Sequence, residues 1–284
     1  MSASSDSLDL FTPVFKHFRR LSAADCFTQA YSVTSHPSLF HHCPITTSID
    51  LDESLGLKPI SSWSLYSCLF CDGLYFLPNP FTSVGQHQWV HRALNDYARQ
   101  TKTSVGDNSN NEQLARIRWA TLGYHYDWTN KIYKDDDHTK MPNELAKLCQ
   151  IIMQVISSST NCPMMQAEAA IVNYYHLNST LCAHTDHSEY DALTKPLISY
   201  SFGNAAVFLI GGQTKAECKP SPILLQSGDI ILMTGSSRLC FHAVPRILSD
   251  PLLKEILCEH LDDECCWSYI HDKRININIR QVYS

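Results

Sequence analysis

Residues Arg274-Ile-Asn-Ile-Asn-Ile-Arg280 alternate without a break. In an extended chain successive side chains point to opposite faces, so Ile275, Ile277 and Ile279 share one face. Arg274, Asn276, Asn278 and Arg280 share the other. Two arrangements satisfy this pattern. The segment is either a strand with an apolar inner and a wet outer face, or a barrel strand whose Arg/Asn face is enclosed. Buried guanidinium groups are costly unless paired, so the second arrangement requires an anionic guest. Arg suits a carboxylate because its planar fork meets both oxygens. Six residues of strand span about 20 Å, too far for both Arg to grip one small diacid directly. One would hold a terminal carboxylate, and the other would steady a group at the far end.

A second pattern lies upstream. His184-Thr-Asp186 places an imidazole and a carboxylate two residues apart, on one side of an extended strand. With His242 they form a two-His, one-carboxylate set. Such a set leaves part of a metal's coordination sphere open, which suits non-haem Fe(II) holding a cosubstrate and O₂. The chain has 14 His, so an H-x-D tripeptide has little force alone. Its force comes from the ordered company of Asn173, Tyr175, His242, Arg274 and Arg280.

From residue 167 onward, short β-branched and aromatic runs alternate with turn signals such as Gly203-Asn204, Gly211-Gly212 and Ser227-Gly228. The runs cover 168–176, 182–187, 197–203, 205–210, 222–226, 229–234, 239–247 and 274–283. Many short strands in succession argue for a jelly roll over βαβ units. Before them, Thr12-Pro13 reads as a helix start, with one or two helices over 13–32 bearing Phe15 and Phe18. Residues 33–60 read as an irregular arm and Leu74–Leu77 as a strand. Ser83 is placed to cap a helix over 84–100 with Trp89, Val90, Leu94 and Tyr97 inward. Residues 105–113 read as a polar loop, 119–128 as extended and aromatic, and 129–142 as a charged loop. A helix over 143–157 buries Leu145, Leu148, Ile151, Ile152 and Val155.

Hydrophobic residues make up 44% and charged residues 18% of 284, enough for a sizeable core. The formal net charge of −6 argues against a protein that coats nucleic acid through phosphate contacts alone. The 12 cysteines are read as reduced thiols in a chain that opens on no secretory signal. Cys68-x-x-Cys71 has metal-ligand spacing but no second pair at zinc-site distance, and Cys265-Cys266 is adjacent. No window approaches a membrane span.

In this order, these segments resemble the AlkB-type Fe(II)/2-oxoglutarate dioxygenases. Asn173-x-Tyr175, His184-x-Asp186, Ser237-Arg-Leu-x-x-His242 and Arg274-x-Asn276-x-x-x-Arg280 fit the family's motifs. Pro78-Asn-Pro-Phe81, Arg118-Trp-Ala-Thr-Leu-Gly-Tyr-His-Tyr126, Leu209-Ile-Gly-Gly212 and His242-Ala-Val-Pro-Arg246 resemble the homologue 1 branch. The resemblance covers residues 58–284, and 11–57 more loosely. It implies a mainly β fold with flanking helices (α+β), built on a double-stranded β-helix core. The implied division is an N-terminal extension (1–57), helices with a nucleotide-recognition lid (58–166), and the catalytic core (167–284).

The resemblance also implies roles. His184, Asp186 and His242 ligate iron. Arg274 pairs with the distal carboxylate of 2-oxoglutarate, Asn173, Tyr175 and Asn276 add hydrogen bonds, and Arg280 lies nearer the metal. Tyr124, Tyr126 and Ser188 stand where the family contacts the target base. Bacterial members have an acidic residue two places after the metal Asp; here that place holds Ser188. The implied reaction is oxidative demethylation of methyladenine or methylcytosine in tRNA or unpaired DNA, with O₂ as cosubstrate and formaldehyde, succinate and CO₂ as products. A protein oxygenase or demethylase acting on histone tails, or a non-catalytic nucleic-acid-binding module, are the rival expectations. An intracellular monomer in the nucleus, the mitochondrion or both, with the cytoplasm as a further location and no membrane partner, is expected.

Overall fold

The computed structural model describes residues 8–99, 102–106, 111–253 and 268–283. Residues 107–110 of the polar loop and Cys265-Cys266 lie outside this set. The helices are α1 (Phe11–Arg20), α2 (Ala23–Gln29), α3 (Ser83–Arg92), α4 (Asn111–Leu114) and α5 (Asn143–Ser159). The strands before the core are β1 (Phe40–Cys43), β2 (Leu65–Cys68), β3 (Leu74–Leu77), β4 (Lys102–Thr103), β5 (Trp119–Asp127) and β6 (Ile132–His138). Those of the core are β7 (Ala169–His176), β8 (Leu181–His184), β9 (Leu197–Gly203), β10 (Ala205–Ile210), β11 (Ser221–Leu225), β12 (Ile230–Met233), β13 (His242–Leu248) and β14 (Lys273–Arg280).

Two antiparallel sheets organise the chain. The larger runs β1-β2-β3-β12-β9-β14-β7-β5-β4, with β6 attached to β5; the smaller runs β11-β10-β13-β8. The eight strands from β7 onward divide four to each sheet, which is the expected jelly roll. Strands from all three stretches of the implied division hydrogen-bond into the larger sheet.

The outer face of the larger sheet is its apolar face. Ile275, Ile277 and Ile279 are fully buried there with Ile152 and Val155 of α5 and Trp89 of α3. Burying a side chain of this size contributes about 1.5–3 kcal/mol, so three on one strand orient it firmly. The outer face of the smaller sheet is covered by the N-terminal helices. Phe11, Phe18 and Cys26 pack on Val207, Leu209, Ala243 and Leu248.

Local expectations fail where a side chain overrides the pattern. Helix α1 begins two residues before Pro13, because the Asp9 carboxylate accepts from the Phe11 and Thr12 amides at 2.9 and 2.8 Å. Thr82, not Ser83, caps α3, accepting from the Gly85 amide at 2.9 Å. That helix ends at Arg92 and continues as a π-helical turn over Ala93–Tyr97. The arm over 33–60 contains strand β1 and short 3₁₀ turns. The last expected strand of the middle group starts later than 239, since a 3₁₀ turn spans Gly235–Leu239. The Ser237 hydroxyl accepts from the Thr234 amide at 3.0 Å and begins that turn.

The charged stretch 129–142 is the largest departure, because it contains strand β6. Asp127 starts the hairpin by accepting from the Thr129 and Asn130 amides, each at 3.0 Å. Lys131 completes the turn at φ 57°. β6 escapes a pattern search because five of its seven residues are exposed.

Besides β4, β5 serves two further partners. Trp119–Gly123 pair with β7, whereas Tyr124–Asp127 pair with β6. The change falls at Gly123, whose φ is +67°. A Cβ there would lie 2.0 Å from the Glu168 carbonyl oxygen. Gly123→Ala is expected to destabilise the protein by about 1–3 kcal/mol through backbone strain and overpacking, read as a lower urea midpoint at unchanged m-value.

Candidate metal centre and cosubstrate cavity

β8 and β13 are neighbours, and their register sets His184 opposite His242. The two rings lie 4.3 Å apart, centroid to centroid, at 56°. The Asp186 carboxylate completes the group: Oδ1 is 3.8 Å from His184 Nε2, and Oδ2 is 3.8 Å from His242 Nε2. The three donor atoms lie within 4.8 Å of one another. Each ring is oriented from behind, with Nδ1 donating to a backbone carbonyl two residues back: Cys182 at 2.9 Å and Cys240 at 3.1 Å. That bond leaves the Nε2 lone pair facing the centre, the tautomer a metal needs. Burial, with His184 alongside, depresses the His242 pKa to about 4. His242 is therefore a neutral donor at physiological pH.

Asp186 does not reach this position by strand alternation. β8 ends at His184, and Asp186 lies in irregular chain. Two arginines aim it. Arg238 is fully buried and donates Nη1 to the Asp186 carbonyl at 2.7 Å, Nε to the Lys195 carbonyl at 3.0 Å and Nη2 to Glu189 Oε2 at 2.8 Å. One guanidinium thus anchors the whole segment after His184. Arg280 then donates Nη2 to Asp186 Oδ2 at 3.3 Å and Nη1 to the Tyr133 hydroxyl at 3.2 Å. Burial opposes ionisation of Asp186, but the cation of Arg280 offsets it and holds the carboxyl well below the usual range.

The polar face of β14 points inward, which decides between the two arrangements the alternation allows. Arg274, Asn276, Asn278 and Arg280 line a cavity of about 610 Å³ together with the three metal-ligand candidates. Across the β7–β14 ladder, Asn173 faces Asn276 and Tyr175 faces Arg274. Arg274 donates to the Asn204 carbonyl at 3.0 Å and to Ser201 Oγ at 2.7 Å. Its pKa is pulled down to about 10 by burial, against the opposing influence of Tyr175 and Asp229. Asn276 is engaged within the sheet, donating to Ser199 Oγ at 2.8 Å and to the Tyr200 carbonyl at 2.9 Å.

The hairpin of β5 and β6 stands at the mouth. Tyr126 lines the cavity, and its hydroxyl lies 3.2 Å from Ser188 Oγ. Its ring meets Trp128 edge-to-face at 4.8 Å. Trp128 also lines the mouth and is 45% exposed. Tyr124 stands apart from the other tyrosine of its pair. Its ring packs on Tyr283 at 4.9 Å and His138 at 5.1 Å. A register shift between Tyr124 and Tyr126 breaks the simple alternation that would put both on one face.

Glu189, Arg238 and Tyr133 carry much of this geometry and were not singled out as site residues from sequence. Arg238 sits inside the Ser-Arg-Leu motif, which was the available signal. Tyr133 offered none, because its partner is 147 residues away.

The cavity fits a divalent metal and a small dianion. The two-imidazole, one-carboxylate set is the donor type of non-haem Fe(II). Both hydrogen bonds of buried Arg274 go to neutral oxygens, which leaves its charge for a guest. Arg280 Nε is buried without a hydrogen-bond partner. Among the described residues this is the one cluster suited to a metal. The nine described cysteines are free, and among these residues no helix is long and apolar enough to cross a membrane.

Comparison with known proteins agrees. The model of the 2OG-Fe(II) oxygenase superfamily matches residues 73–280. The Mus musculus protein named nucleic acid dioxygenase ALKBH1 is 34% identical over 275 residues, 81% of this chain and 69% of that protein. The tRNA demethylase abh1 of Schizosaccharomyces pombe is 44% identical over 168 residues, 59% of this chain and 53% of that protein. The solved structure of OsALKBH1 shares the fold, with a TM-score of 0.56 at 21% identity over 74% of this chain and 96% of that one. The chain belongs to the 2OG-Fe(II) oxygenase superfamily and, within it, to the family of the ALKBH1 dioxygenases.

Proposed function

We propose that this dioxygenase demethylates N-methylated adenine or cytosine in tRNA or unpaired DNA, releasing formaldehyde. One observation carries the reading: a metal-ready face and a buried Arg274, hydrogen-bonded only to neutral oxygens, lie in the same cavity, below an aromatic mouth. His184, Asp186 and His242 would hold Fe(II). Arg274 would clamp the distal carboxylate of 2-oxoglutarate, and Asn173 and Tyr175 flank it on the facing strand. Bound Fe(II) with 2-oxoglutarate and O₂ supplies an oxidant that hydroxylates a C–H bond, with succinate and CO₂ as coproducts; an N-hydroxymethyl base then loses formaldehyde.

The chain's own contribution is placement and exclusion of water. Arg280 keeps Asp186 ionised, and the two backbone carbonyls hold each imidazole with Nε2 toward the centre. Nucleobases are suggested as substrate by the names of the relatives and by the mouth. Tyr126 and Trp128 offer ring faces, and stacking a base on an aromatic contributes about 1–3 kcal/mol. Lys131, also at the mouth, is exposed and cationic. A base must leave its stack to enter such a pocket, which favours looped or unpaired targets. The net charge of −6 fits a small footprint of this kind rather than a broad phosphate contact.

With methylated tRNA as substrate, Asp186→Ala is expected to lower formaldehyde release more than about 100-fold; undiminished release would remove the metal assignment. Arg274→Ala is expected to raise the KM for 2-oxoglutarate about 10- to 100-fold, the worth of a charge-assisted hydrogen bond. Arg274→Lys should recover part of the loss, because it keeps the charge without the fork. A panel of methylated tRNA, methylated single-stranded DNA and methylated histone peptide, scored for formaldehyde and succinate, tests the substrate class. Turnover on the peptide alone would refute nucleobase demethylation.

A further inference from the structure

Tyr133 is the one buried residue of β6. A strand so charged has little reason to bury a phenol. Its ring packs with Ala169 and Val282 and stands 5.2 Å from the Tyr126 ring. Phe would fill that space equally well, so packing alone leaves the hydroxyl unexplained. The hydroxyl accepts from Arg280 Nη1 at 3.2 Å. The same guanidinium donates Nη2 to Asp186 Oδ2 at 3.3 Å and lies 3.4 Å from Glu189 Oε1.

Arg280 therefore lies among three oxygens, and two of them compete. Glu189 draws Nη1 toward Arg238 and the segment beyond Asp186, while Tyr133 draws it toward the hairpin. Without the phenol oxygen, the strongest remaining pull on Nη1 is the Glu189 carboxylate. A shift toward it would turn Nη2 off Asp186 and free that carboxylate to rotate. The hairpin touches the same segment a second time, where the Tyr126 hydroxyl meets Ser188 Oγ at 3.2 Å.

We propose that Tyr133 is a positioning residue for the metal carboxylate: by accepting from Arg280, it centres the guanidinium on Asp186. Seating of the β5–β6 hairpin over the cavity and orientation of Asp186 are then set together. The proposal rests on His184, Asp186 and His242 being a metal site.

The test titrates Co(II) anaerobically into the metal-free full chain and follows visible absorption. Wild type should bind one equivalent and Asp186→Ala should lose it. Tyr133→Phe should bind about tenfold more weakly, the lower end of the usual effect of residues that orient ligands, with a shifted absorption band. Its metal-free unfolding midpoint should stay within about 0.5 °C of wild type, well under the roughly 2 °C shift that 1 kcal/mol produces in a chain of this size. Tyr124→Phe, from the same cluster but packed on Tyr283 and His138, should match wild type in affinity and spectrum. Wild-type affinity and spectrum in Tyr133→Phe would overturn the proposal and leave the metal reading intact. A matching fall in the unfolding midpoint would overturn it in favour of packing. Failure of wild type to bind Co(II), or unchanged binding by Asp186→Ala, would instead overturn the metal reading beneath it.

Discussion

The enclosure of two guanidinium groups on one face of β14 is the constraint from which the rest of the site follows. A cation removed from water needs an anion or a dense set of acceptors. Arg280 has Asp186 and Glu189 beside it, with the Tyr133 oxygen on a third side. Arg274, about 20 Å along the same strand, meets only neutral oxygens through its hydrogen bonds. The asymmetry divides the cavity into two ends. One end is internally neutralised and built to hold a carboxylate of the chain. The other is held ready for a carboxylate that arrives from solution.

Protonation states follow the same division. Asp186 stays ionised because the cation of Arg280 beside it offsets its burial. His242 stays neutral because burial outweighs the carboxylate beside it. Opposite outcomes a few ångströms apart come from how each group is balanced against its neighbours. Asp229, which interacts electrostatically with Arg274, has its pKa raised to about 7 by burial, despite backbone donors from Gln226 and Asn79.

How much could be read from residues alone depends on the range of the interaction. The alternation in 274–280, the short-strand rhythm after 167 and the helix over 143–157 are local periodicities, and the fold repeats them closely. His184 and His242 were legible as a pair because each sits at a fixed place in its own motif, and the β8–β13 register brings them face to face. Asp186 is legible from its motif but not from strand alternation, because two distant arginines aim it. Strand β6 was hidden because its pairing with β5 depends on an Asp-capped turn and a bend at Gly123, not on apolar alternation. The separation of Tyr124 from Tyr126 was hidden for the same reason. Contacts such as Tyr133 to Arg280 join residues 147 positions apart, and no local signal foretells them.

The N-terminal helices bear on the chemistry although they touch none of it. α1 lies on the outer face of the smaller sheet, with Phe11 and Phe18 over Ala243 and Leu248 of β13. Arg246 of that strand also donates to the Arg19 carbonyl at 3.1 Å. β13 opens with His242. The strand that presents an imidazole to the interior is therefore backed by the chain's first described helix. A catalytic fragment cut at the start of the jelly roll would expose that backing to water, so the autonomous unit is larger than the barrel and includes α1.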